Sequence, residues 1–224
     1  MKIGPDAVER GAMTFLADSV VLAIRSEDDD ADFSSSLSRA SILASAQYIE
    51  ACANTCLDTL KYEIDFIKDI ERLPTLSKFE LFSRLEFSNR PLDRGRNEIL
   101  DYLELKKIRD SYVHPKSQKI IWESWTETSS ISESPRTKRL NLPKIASFCS
   151  NDDAINALRA THGFLRYFFH DICRYSGQKV SALLCSEDPT PNLSDQITHY
   201  WDRRTLDWVK TKRIDLSYVR IGKL

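Results

Sequence analysis

The chain has 224 residues and 25.8 kDa, a formal net charge of −1, and 42% hydrophobic and 10% aromatic residues. That is enough apolar material for one domain with its own core. Only 6 Gly and 8 Pro exclude a turn-rich all-β sandwich, and the near-neutral charge excludes a polycation, so a nucleic-acid contact has to come from a local patch.

Pro5 and Asp6 predict the start of a helix over residues 5–24. The acidic run at 27–32 then reads as a solvated loop. Ser34, Ser35 and Ser36 offer N-caps for a long helical pattern over 37–70, uninterrupted by Gly or Pro. Its small residues Ala40, Ala44, Ala51 and Ala53 would let another helix approach closely. Glu50 lies among small and apolar neighbours, either paired with a cation or facing water. Pro74 closes this pattern. Residues 76–87 form a short amphipathic helix with Phe79, Leu81, Phe82, Leu85 and Phe87 as core candidates, and 90–95 is a turn. A further helix occupies 94–109, with apolar Ile99, Tyr102, Leu103, Leu105 and Ile108.

Residues 116–143 read differently. Ile120, Ile121, Trp122 and Trp125 on one side and Leu140 and Leu142 on the other bracket a Ser/Thr/Glu/Pro-rich stretch, the pattern of a hairpin insertion. Residues 151–175 form another helix, capped by Asn151 or Asp152, followed by Gly177, with Leu158, Phe164, Leu165, Phe168, Phe169 and Ile172 as a core face. A short helix over 179–185, a loop at 189–192 and a last helix over 194–212 come next. Residues 214–221 alternate like an edge strand, with the hairpin as a candidate partner. The expected fold class is all-α: a single domain over 1–224, an antiparallel helical bundle with a small β-hairpin insertion at 116–143.

Cys52, Cys56, Cys149, Cys173 and Cys185 contain no CxxC pair. Buried free thiols in a reducing cytoplasm are the expectation, with no metal site and no cofactor. The N-terminal residues lack a basic region followed by an apolar stretch, and the apolar run 12–24 contains Asp18 and is too short to span a bilayer, so a cytoplasmic protein without membrane contact is expected. There is no glycine-rich phosphate loop, GxSxG elbow or HExxH.

The most informative stretch is Lys106-Lys-Ile-Arg-Asp-Ser-Tyr-Val-His-Pro115. Arg109 and His114 sit at the end of a helix that Pro115 cannot extend. A guanidinium binds two phosphate oxygens in defined geometry, and an imidazole changes charge near neutral pH. Asp110 and His114 are four residues apart and can meet on one helix face. Five cations, Lys106, Lys107, Arg109, Lys116 and Lys119, stand against Asp110 alone and would attract a phosphate backbone.

These residues, with the small-residue helix carrying Tyr48-Ile-Glu50, resemble the HEPN superfamily (higher eukaryotes and prokaryotes nucleotide-binding). Its members are helical bundles. Many carry an Arg followed by Asn, Asp or His, and a His four to six residues on; here the motif is Arg109-Asp110 and His114. The resemblance covers roughly residues 37–175. The insertion after His114 and the helix after 194 lie outside the common pattern. The resemblance implies a metal-independent endoribonuclease, usually a homodimer with the two motifs meeting in a cleft, acting as a toxin, an antiviral defence effector or an RNA-processing enzyme; other relatives are inactive scaffolds.

The chemistry fits that implication. Attack of a 2′-OH on the adjacent phosphate needs charge stabilisation, which suits Arg109, and proton transfer, which suits His114 as general acid helped by Asp110. Lys106, Lys107, Lys116 and Lys119 are the RNA-binding candidates. On a regular helix, residues five apart lie about 140° around the axis, so Arg109 and His114 do not share a face; either the last turn unwinds or a second copy completes the site. The alternative function is a non-catalytic scaffold that binds RNA or a protein, with Arg109 tied to an internal carboxylate. A third possibility is a component of a toxin–antitoxin pair. Two other cationic segments compete. Arg203 to Arg213 with Trp201 and Trp208 is either a stacking surface for RNA or, preferably, an amphipathic helix with its tryptophans in the core. Arg136, Lys138, Arg139 and Lys144 either touch phosphates or make a soluble loop. His162 and His170 read as satisfied core or interface histidines rather than metal ligands.

Overall fold

The computed structural model describes residues 10–27, 30–60, 64–87, 90–185 and 199–224. Pro5 and Asp6, expected to open the first helix, lie outside the described residues. Helix α1 (Ala12–Arg25) runs into Asp30, whose carboxylate accepts the Phe33 N–H at 3.0 Å and caps α2 (Ala31–Asp58). The acidic run therefore supplies the cap, and α2 starts ahead of the serines expected to do so. Those serines instead help seat the helix, Ser34 Oγ donating to the Ser26 carbonyl at 2.6 Å. Small buried residues on α2 (Ser38, Ser41, Ser45, Ala46 and Ala53) let α1 pack closely, and Ser41 Oγ donates across to the Ser19 carbonyl at 2.7 Å.

The long helical pattern stops at Asp58 rather than reaching 70; α3 (Ile64–Ile70) is separate. Pro74 stands immediately before α4 (Thr75–Glu86), where a fixed φ suits the start of a helix. Phe79 and Phe82 are buried as expected, whereas Leu85, expected in the core, is 44% exposed. Helix α5 (Asn97–Val113) buries Ile99, Tyr102, Leu105 and Ile108 and packs against α2 and α6.

After α5 the chain forms the expected hairpin, β1 (Ile121–Trp125) antiparallel to β2 (Ser130–Glu133) with a bulge near Trp122. It stands off the body: Trp122, Trp125 and Ile131 are all half-exposed or more. From Ser134 onward the chain returns to the core, burying Leu140 and Leu142 and placing the Tyr112 hydroxyl on the Pro143 carbonyl at 2.5 Å. The inserted hairpin is thus shorter than the 116–143 span.

Helix α6 (Asn151–Arg166) is capped by Ser150, not by Asn151 or Asp152. The Asp153 carboxylate accepts from both the Ser150 N–H and its hydroxyl at 2.8 Å. Asp153 is fully buried and also pairs with Arg136; burial pushes its pKa up, against the hydrogen bonds and the guanidinium that pull it down. The helix then widens into a π-turn over Tyr167–Ile172. The extra residue puts Phe168 and Phe169 into the core together, Phe168 against Phe79 at 4.4 Å between ring centres. Arg174 adopts φ 57°, the left-handed stop that had been expected of Gly177. Gly177 instead opens α7 (Gly177–Leu184), capped by Ser176.

The C-terminal part departs most from expectation. Residues 189–192 and 194–198 lie outside the described residues. Beyond them come β3 (Tyr200–Trp201) and a short α8 (Arg203–Thr211). Residues 214–221 are not a strand against the hairpin. They thread Ile214, Tyr218 and Val219 into the core and lead to β4 (Gly222–Lys223), which pairs in parallel with β3. A Cβ at position 222 would run into the Tyr200 ring, so this pairing requires glycine.

The result is a mainly helical molecule with two small two-stranded sheets among the described residues. The five cysteines are all buried, and Cys52, Cys56, Cys149 and Cys173 form no disulfide among the described residues. No helix of the described residues is long and apolar enough to cross a membrane.

Candidate functional site

The C-terminal end of α5 carries Arg109, Asp110 and His114. Its core-facing row is Tyr102, Leu105 and Ile108, and Arg109 falls at the edge of that row, turned toward α2. Its guanidinium is 20% exposed. Nη2 donates to Glu50 Oε2 at 3.0 Å, and Nη1 forms an ion pair with Asp110 Oδ1 at 3.1 Å. Nε is buried without a partner. Glu50, left open by the sequence, is therefore a cation's partner: α2 presents it and α5 meets it. Tyr102 shares this environment. Burial, above all, pushes its hydroxyl up to about 12; a bond to Thr75 opposes that, Glu50 adds to it and Arg109 opposes it.

Asp110 does not orient His114 as expected. One of its oxygens holds Arg109 and the other accepts from Lys106 Nζ at 2.7 Å. What links Asp110 to His114 is backbone, the His114 N–H donating to the Asp110 carbonyl at 3.0 Å. His114 ends the helix at φ −121°, ψ 68°, outside the helical region that Pro115 disfavours for it. Its ring is exposed and has no hydrogen-bond or ion-pair partner among the described residues. Within one copy, then, the guanidinium turns inward and the imidazole outward.

The four lysines separate. Lys106 is committed to Asp110. Lys107, Lys116 and Lys119 are exposed, with no hydrogen bond or ion pair among the described residues. The local positive field thus comes from three ammonium groups rather than five cations, because Arg109 and Lys106 are neutralised by Glu50 and Asp110.

The competing segments are largely accounted for by the fold. Trp201 is buried; Trp208 packs against the core and donates to Glu27 at 3.0 Å, which also holds Lys212 at 2.7 Å. They form no open stacking surface. His162 is buried and its Nδ1 lies 2.9 Å from the Tyr218 hydroxyl. Tyr218 donates to Tyr48 at 3.1 Å, so its oxygen accepts from His162 Nδ1–H and Nε2 is left bare. Burial lowers the His162 pKa to about 3, with Asp215 pulling weakly the other way. His170 pairs with Asp171 at the surface, 2.9 Å away. Among the described residues, no group of three or more His, Cys, Asp or Glu side chains is arranged to hold a metal ion.

Sequence reasoning underweighted the loop at 136–144. Arg136 is spent on Asp153 and Arg139 on Asp101 at 2.6 Å, but Lys138 and Lys144 are unpaired among the described residues. With Lys107, Ser111 and Gln118 they line a cleft of about 420 Å³ between α5 and this loop. Alternating commitment of neighbouring cations is a tertiary property, and no local sequence signal carries it. Comparison with protein-family models, with curated proteins and with solved structures finds no match to this chain.

Proposed function

We propose that the chain is a metal-independent endoribonuclease of the HEPN type, with α1, α2, α5 and α6 as its antiparallel bundle and two copies forming the working unit. The observation that supports this best is the arrangement at the end of α5. An anchored guanidinium and a free, exposed imidazole stand five residues apart on opposite sides of one helix end. Two such ends crossing about a twofold axis would give one groove two of each.

In this reading Arg109 stabilises charge on the phosphorane. Nη2 gives one N–H to Glu50 and Asp110 adds an ion pair, so N–H groups on both Nη atoms remain for a phosphate. Glu50 and Asp110 hold the guanidinium in place. The 2′-oxygen bonds to phosphorus and the bond to the 5′-oxygen breaks. His114 protonates the departing 5′-oxygen, and the imidazole contributed by the second copy takes the 2′-OH proton. The products are a cyclic phosphate and a 5′-hydroxyl. A toxin or antiviral defence role, with a cognate partner that restrains it, follows from such an activity.

The test is RNA cutting by purified protein in EDTA, with the new ends analysed for cyclic phosphate. Arg109→Ala and His114→Ala should each abolish cutting while the protein stays folded and dimeric. Cutting retained by both variants rejects the assignment. A second reading, a non-catalytic scaffold of the same fold, is favoured by one specific observation: Arg109 already carries two carboxylates. It predicts no cutting and unchanged binding after His114→Ala.

A further inference from the structure

We propose that the cleft between α5 and the 136–144 loop binds the phosphate backbone of single-stranded RNA, guiding the strand to His114. This rests on the nuclease reading and deepens it.

The cleft is lined by Lys107, Ile108 and Ser111 from α5, by Gln118, and by Lys138 and Lys144 from the loop, among others. On α5, positions 107, 111 and 114 lie within about 60° of one another around the helix axis. The cleft therefore opens on the same side of the helix as the exposed imidazole. Its charge is unusual for this molecule. Four cations around it each have a carboxylate, Lys106 on Asp110, Arg109 on Glu50, Arg136 on Asp153 and Arg139 on Asp101, whereas Lys116 and Lys119, on either side of Gln118, have none among the described residues. Lys107, Lys138 and Lys144 have none among the described residues.

One acidic side chain lines the cleft, Glu104, and its carboxylate is occupied. It accepts the Leu140 N–H at 2.8 Å and the Arg139 N–H at 3.1 Å, so it fastens the loop to α5. Those bonds hold its pKa below the usual range in spite of burial, which pushes the other way. The loop is further fixed by Tyr112 on Pro143 and by Arg136 on Asp153. These bonds fix the backbone that carries the three exposed lysines on both sides of the cleft.

A volume of about 420 Å³ falls at the small end of ligand sites, roughly 300–1,000 Å³. It admits a nucleotide-sized stretch of one strand and not a duplex. Among the described residues no aromatic ring lines it, so phosphate contacts rather than base stacking dominate, and binding is sequence-tolerant and salt-sensitive.

The experiment uses the full chain carrying His114→Ala, to prevent cutting, and a fluorescently labelled oligouridine of about a dozen nucleotides. Lys138→Ala/Lys144→Ala should weaken binding about tenfold near 0.1 M salt and reduce the salt slope by about 1.4, the value for two lost single-strand phosphate contacts. Arg203→Ala/Arg204→Ala, which removes equal charge on α8, should change affinity less than about twofold. Equal weakening by both pairs, no weakening by either, or no binding by the parent overturns the cleft assignment. The nuclease reading fails separately. Wild-type protein that does not cut, with binding still lost in the lysine pair, leaves the cleft standing. Wild-type cutting that the lysine pair leaves unchanged, with unchanged binding, removes the cleft and leaves the nuclease.

Discussion

The rings of His162 and His114 lie in opposite surroundings. His162 is sealed between Tyr48 and Tyr218, donates to one hydroxyl, and is kept neutral by burial. His114 stands at a helix end with no partner among the described residues and with unpaired lysines beside it. The first histidine is used by the fold; the second is used by nothing the fold needs. A polar side chain left unmatched at the edge of an otherwise well-matched structure is where function is to be sought.

The sharpest break of that comparison is kinetic. His114→Ala should lower RNA cutting about 100- to 10,000-fold while stability moves by no more than about 0.5 kcal/mol, read by end-labelled RNA on gels and by thermal melting. Losing both together would place His114 in the fold after all. On the buried side, Phe168→Ala should cost about 3–5 kcal/mol in denaturant unfolding, because Phe168 is fully buried against Phe79 and Phe82.

Acid should expose the cost of the buried ring without touching the site. The folded pKa of His162 is about 3, against 6.5 unfolded. Below 6.5 the unfolded chain binds the proton and the folded one does not, so stability is full above 6.5 and falls as pH drops toward 3. The slope approaches about 1.4 kcal/mol per pH unit. His162→Leu should flatten that limb of a urea-midpoint-versus-pH curve.

Two smaller effects sharpen the contrast at the surface. Glu50→Ala leaves the guanidinium to Asp110 alone. It should cost about 1 kcal/mol or less, since both partners are partly exposed, yet slow cutting at least about tenfold through misplacement of Arg109. Trp125→Ser, on the 68% exposed hairpin position, should shift stability by about 0.5 kcal/mol or less.

Local chemistry made much of this legible. Pro115 marks the end of α5 and the aromatic periodicity of 151–175 a core helix, each close to where it was expected, whereas Pro74, expected to close the long helix, instead precedes α4. The hairpin was legible only from its first strand: β2 lies in the stretch read as the polar tip, and Leu140 and Leu142, expected to bracket it, return to the core. What escaped depends on groups far apart in sequence. The parallel pairing of β3 with β4 joins residues on either side of α8, and the Asp30 and Ser150 caps outcompete neighbours of equal propensity. The π-turn at Tyr167–Ile172 is a packing solution that helical periodicity conceals. At the site, the residue types were readable, but which cations keep a carboxylate and which do not was decided by α2 and by the loop.

The sealed thiols have a practical use. Cys52, Cys56, Cys149 and Cys173 are buried, and burial raises each well above an ordinary thiol, Cys149 to about 11. Alkylating reagents attack the thiolate, so a native molecule should resist them at neutral pH. They lie on α2, beside α6 and beyond the π-turn. Mass-resolved labelling would therefore time the opening of each region separately, using reporters the chain already carries.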